Sequence, residues 1–96
     1  MENEYFKLAL YVAGNTTKSL DAIANLKKYC VEHLKGAYTI EVIDLLEHPH
    51  LAESEQIIAT PTLIKKLPDP IRILVGDLSQ ENKFLVGLNI IPLQKE

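Results

Sequence analysis

The side chains of this chain that could do chemistry are few, and each stands where a plainer role competes with a reactive one. Cys30 is the only thiol, so no internal disulfide can form, and its place on an apolar helical stripe is that of a structural residue in a reducing compartment. His48-Pro49-His50 resembles a metal-binding pair, but the intervening proline and the lack of a nearby third ligand leave both as loop histidines. Thr16 and Thr17, in Gly14-Asn15-Thr16-Thr17, would need an adjacent base to become nucleophiles. None is close in sequence, and capping of the helix that follows accounts for both. Tyr11 offers one more hydroxyl of the kind a transferase would use. Asp69 and Asp77 each adjoin proline or glycine and read as turn formers. The glycines, at 14, 36, 76 and 87, are too scattered for a phosphate loop, and no aromatic series suits single-stranded nucleic acid. No catalytic residue, cofactor or metal ligand is assigned. Binding is the expected task.

The elements that would position a binding surface must fit within 96 residues, the length of one domain spanning residues 1–96. Its stability should be on the order of 5–10 kcal/mol. A formal charge of −3 with 24% charged residues of mixed sign gives no basic excess for nucleic acid. No apolar run approaches the ~18–20 residues of a membrane span. The acidic start, Met1-Glu2-Asn3-Glu4, lacks the layout of a signal peptide, so a cytoplasmic location is expected.

Phe6 to Val12 sets Phe6, Leu8, Leu10 and Val12 against Lys7, Ala9 and Tyr11, the pattern of a strand covered on both sides. A helix follows over Lys18 to Leu34, with Leu20, Ile23, Leu26, Cys30 and Leu34 on one broad face and Gly36 just past its end. Tyr38 to Leu46 alternates again. Strand, helix and strand in about 40 residues predict a βαβ unit with parallel strands. The second half is ambiguous. Pro49 to Gln56 suits a short helix, and Thr62 to Leu67 an extended strand. Ile71, Ile73 and Val75 alternate like a strand, yet Ile71, Leu74, Val75 and Leu78 fall at helical spacing. Phe84, Val86, Leu88 and Ile90 alternate, with Leu85 and Ile91 opposite, while Ser79 can cap a helix through Leu88 that Gly87 weakens by roughly 1 kcal/mol.

Ala59-Thr60-Pro61-Thr62, followed by apolar residues, resembles the cis-proline turn of thioredoxin-type domains, which faces a pair of reactive cysteines. Here the corresponding turn before the first helix is Gly-Asn-Thr-Thr, which cannot cycle through a disulfide. Leu10 to Thr16, Val42 to Glu53, Ile57 to Leu63 and Gly76 to Ser79 together resemble the KaiB family, and the similarity runs from about Phe6 to Leu93. The resemblance implies an α/β, thioredoxin-like family member able to hold its C-terminal half in two ways. In an assembled ground state, βαββααβ overall, that half is a strand, two helices and a strand. In a monomeric thioredoxin-like state, βαβαββα overall, it is a helix, two strands and a helix.

The resemblance further implies that the thioredoxin-like state captures a KaiC-like ring ATPase while the ground state is a dimer or tetramer. A sensor kinase is a further partner it suggests. A competent state populated at about 1% lowers apparent affinity by roughly 2.7 kcal/mol. Thr60, Pro61, Lys65 and Arg72 carry over as partner-binding positions, and Pro61, Pro68, Pro70, Gly87 and Asn89 as positions that govern the change of fold. Gly87 matches the family's late glycine, while Asn89 stands where clock-type members often have aspartate. Asp21, Glu41 and Ile73 replace basic positions of those members, and the chain stops at Glu96 without their long acidic tail. A stress-response adaptor of the same family, and a thioredoxin-fold transferase using Thr16 or Tyr11, are the rival readings.

Overall fold

The computed structural model describes residues 4–90. Its elements run β1 (Phe6–Val12), α1 (Thr17–His33), β2 (Tyr38–Asp44), α2 (His50–Ser54), β3 (Thr62–Leu67), β4 (Arg72–Val75) and α3 (Glu81–Gly87). This is the thioredoxin-like arrangement of the two that the sequence left open. The sheet has the order β2-β1-β3-β4, with β2 parallel to β1, β3 antiparallel to β1, and β4 antiparallel to β3.

Strand β1 is central and buried along its length except at Lys7. Phe6, Leu8, Leu10 and Val12 join Leu26, Tyr29 and Cys30 of α1 and Phe84, Leu85 and Leu88 in the main core. On the opposite face, Ala9, Tyr11, Ile43, Leu45 and Ile64 form a smaller core, roofed by Leu51, Ala52 and Ile57. The two alternating sets of β1 residues thus serve two apolar layers, as the sequence pattern predicts.

Helix α1 starts at Thr16, whose Oγ1 accepts the Ser19 amide at 3.1 Å and donates to Ser19 Oγ at 2.9 Å. Its buried row is Ser19, Ala22, Leu26, Tyr29 and Cys30. Leu20, placed on the core face by the sequence reading, is 52% exposed. It lies roughly 120° around the helix from Leu26, outside the stripe that the sheet can cover.

In the C-terminal half, the strand pattern prevails as far as Val75 and the helix pattern after Gln80. A turn separates them. Gly76 has φ +122°, and Asp77 Oδ1 accepts the Ser79 amide at 3.0 Å, so neither periodicity can run through. Leu78 adopts φ +62°, unfavourable for a leucine, while its side chain is buried and its carbonyl accepts the Tyr29 hydroxyl at 2.7 Å. The N-cap of α3 is Gln80 and not the expected Ser79, because Asp77 already holds Ser79 in the turn. The helix ends in a Schellman motif: Ile90 N–H donates to Leu85 at 2.8 Å and Asn89 N–H to Val86 at 3.0 Å. Asn89 takes φ +61°, a conformation that asparagine tolerates better than most residues. Ile91, part of the alternative strand reading, lies outside the described residues.

A Cβ placed on Gly87 would fall 2.6 Å from Leu74 Cδ2, the end of a flexible side chain on β4. Alanine at 87 gains about 1 kcal/mol of helix propensity, but only after Leu74 swings aside. Gly87→Ala should therefore stabilise the wild-type chain by less than it stabilises a Leu74→Ala chain. Equal increments in both backgrounds, measured by urea unfolding, would contradict this packing.

Candidate partner-binding site

The turn before β3 stands at the same end of the sheet as the loop from β1 into α1, because Tyr11 near the end of β1 is paired with Thr62 at the start of β3. The Thr60–Pro61 peptide bond is cis, as are those preceding Pro68 and Pro70. Pro61 is fully buried, and its carbonyl accepts the Gly76 amide at 2.9 Å. Thr62 Oγ1 donates to the Ala59 carbonyl at 2.6 Å. The turn is thus closed from within by Thr62 and tied from the side to the end of β4.

The surface next to it is apolar. Ile58 is 96% exposed, and Ile73 and Val75 of β4 are 60% and 62% exposed on the face opposite α1 and α3. These two lie across from Ile64 and Thr62, beyond the reach of the short helix α2. Arg72 is exposed at the start of β4, and Thr60 is partly exposed. Neither Ile58 nor Val75 was among the contact residues expected from the sequence. The signal for Val75 was there, in the alternation of Ile71, Ile73 and Val75 along an edge strand.

Lys65 departs from expectation. The resemblance has it presented to a partner, but its side chain is 1% exposed. The reason is register: Lys65 pairs with Leu8 and shares a sheet face with Leu63, the face that packs on α1 and α3. Its Nζ stands 5.9 Å from the centre of the Phe6 ring, within cation–π range. Burial holds this ammonium below the ordinary lysine range, and Arg72 directly across the ladder lowers it further, while Glu4 and Asp69 pull the other way.

The hydroxyls and the thiol are committed to the fold. Tyr11 is 2% exposed in the smaller core. Thr16 is spent on the α1 cap. Cys30 is fully buried, and burial pushes its thiol up to about 12, far from the thiolate that exchange chemistry needs. His48 and His50 have ring centroids 6.4 Å apart on either side of Pro49.

This fold and this site define a thioredoxin-like domain that keeps the proline turn and lacks the cysteine pair. Yeast mitochondrial thioredoxin 3, in its oxidised form, superposes with a TM-score of 0.70 at 14% identity, over 90% of this chain and 78% of that one. The N-terminal domain of SasA from Synechococcus elongatus gives 0.73 at 20% identity, over 96% and 90%. At these identities the likeness is of fold alone. Sequence is more specific. The KaiB domain matches residues 9–90, and the chain belongs to the KaiB family. It is 47% identical to the circadian clock protein KaiB3 of Synechocystis sp. (strain ATCC 27184 / PCC 6803 / Kazusa), over 96% of this chain and 90% of the relative. It is 49% identical to the circadian clock oscillator protein KaiB of Microcystis aeruginosa (strain NIES-843 / IAM M-2473), over 90% and 83%.

Two measurements check the site's geometry. Thr16→Ala should lower stability by about 1 kcal/mol, the usual worth of an N-cap, while Thr17→Ala, at an exposed first-turn position, should change it little. A comparable loss from both would mean that the cap is misassigned. Lys65 binds its proton less readily when folded than when unfolded, so its effect on stability becomes more favourable as pH rises toward the unfolded lysine range. Lys65→Met should therefore be most stabilising near neutral pH and lose that advantage as pH climbs toward about 10.4. A pH-independent difference in unfolding midpoint would contradict the burial of a charged lysine.

Proposed function

We propose that this chain is a non-enzymatic regulatory protein that binds a KaiC-like ring ATPase through the thioredoxin-like arrangement described above. In this reading the alternative ground-state fold is stored in a homo-oligomer, a dimer or tetramer. The observation that carries it is the surface around the cis-proline turn. Ile73 and Val75 are exposed on one face of the edge strand and Ile58 on the loop before the turn, while Arg72, opposite Lys65, is exposed at the start of that strand on its other face. A surface of this kind suits contact with another protein, with the apolar residues supplying affinity and the arginine at the strand's start supplying orientation.

Thr60, Pro61 and Arg72 remain the partner-binding positions, with Pro61 shaping the turn from beneath. Lys65, buried on the opposite face of the sheet from Ile73 and Val75, is left out of the contact. Pro61, Pro68, Pro70, Gly87 and Asn89 are proposed to set the balance between the two folds. A sensor kinase whose own domain shares this fold would compete for the same ring surface, a reading prompted by the SasA likeness. The relatives' names support a clock or clock-derived role.

Size-exclusion chromatography with light scattering tests the proposal on the protein alone and after hours with the KaiC-like ATPase of its own genome plus nucleotide. An oligomer that slowly yields a ring complex, with Arg72→Glu and Ile73→Asp each weakening that complex while remaining folded, is the expected result. An oligomer that never binds the ring would overturn ring capture and leave the stress-response adaptor in front. Capture undiminished by either substitution would remove this surface from the interface.

A further inference from the structure

The last turn of α1 and the first turn of α3 meet in a cluster that plays no part in the partner surface. His33 Nε2 lies 2.6 Å from Glu81 Oε2 and 3.9 Å from Glu32 Oε1. One ligand atom from each of the three residues can be chosen so that all lie within 4.8 Å of one another. Zinc bound by nitrogen and oxygen at ~2.0 Å in a tetrahedral shell holds its ligands roughly 3.3 Å apart. The observed separations straddle that value, and the partly exposed side chains have room for the small rotations that would equalise them.

The donor set is one imidazole with two carboxylates, a combination suited to a borderline cation such as zinc, with water completing the shell. Two carboxylates converge on one imidazole, which even when protonated balances only one of them, and Lys28 is the further basic side chain acting on Glu81. The Tyr29 hydroxyl beside them is pushed up by burial and then by Glu81, Glu32 and Asp77 together, so the negative field is felt beyond the cluster itself. Among the described residues this is the one group of three such ligands.

We propose that Glu32, His33 and Glu81 bind one zinc ion per chain and so clip α3 to α1. The ligands come from residues 48 positions apart, so the site exists only while these helices are docked. Zinc therefore stabilises this arrangement by mass action, and any share of chains held in another fold lowers the apparent affinity by the fraction that remains in this one.

The full chain, stripped of metal with a chelator and dialysed, is titrated with zinc chloride by calorimetry, with cobalt as a spectroscopic probe. The expected result is one ion per monomer and a thermal midpoint that rises with zinc. His33→Gln and Glu81→Gln should each weaken binding at least about tenfold, the loss already seen for partners one shell further out. Glu32→Gln should weaken it less, and the double variant His48→Gln/His50→Gln should leave it unchanged. Circular dichroism establishes that the variants are folded. Three results would overturn the proposal: no binding at millimolar zinc, binding lost only in the His48→Gln/His50→Gln variant, or one ion shared by two chains.

Discussion

Strand β1 is hydrogen-bonded along both edges and covered on both faces, and the rest of the molecule is arranged around that constraint. Parallel pairing with β2 requires a crossover, which α1 supplies by packing Ala22, Leu26 and Tyr29 onto Leu8 and Leu10. Antiparallel pairing with β3 brings the proline turn to the carboxyl end of β1, beside the Thr16 cap. The same pairing carries Lys65 into the interior, because any residue opposite Leu8 on that face points at the helices. Site and core are thus consequences of a single register.

The second organising contact runs from α1 to the loop before α3. Asn25 Nδ2 donates to the Asp77 carbonyl at 2.9 Å and the Tyr29 hydroxyl to the Leu78 carbonyl at 2.7 Å. Tyr29 also packs against Phe84, ring centroids 4.8 Å apart. The C-terminal helix is therefore oriented by side chains of the first helix. The loop carries an unfavourable leucine backbone as part of that fit. The half of the chain whose sequence fits both strand and helix periodicity is held in this arrangement by polar ties to the half whose periodicity is unambiguous.

That division explains how much the sequence disclosed. The βαβ unit was legible because β1 alternates over seven residues and α1 carries its stripe over seventeen, long enough for period and capping to agree. The C-terminal elements were not, because β4 has four residues and α3 seven, too few for one period to exclude the other. What decides them lies outside local pattern: Gly76, the Asp77 turn and the reach of Tyr29. Thr60, Pro61 and Arg72 were named from the resemblance and carry no spacing signal of their own. The burial of Lys65 could have been read from its sharing one side of a strand with Leu63, but a paired lysine invites a surface reading. The Glu32, His33 and Glu81 cluster carries no spacing signal, since only the docking of two helices assembles it.

The edge strand has a consequence for the protein as a population of molecules. Among the described residues, β4 ends the sheet, so one side of its backbone offers free amides and carbonyls beside half-bare isoleucine and valine. Such an edge recruits further strands, including those of identical neighbours. Its four-residue length limits how firmly a stray strand can add, yet crowding still favours the encounter. Colloidal solubility then sets a ceiling on how much of the chain can remain in this arrangement uncovered.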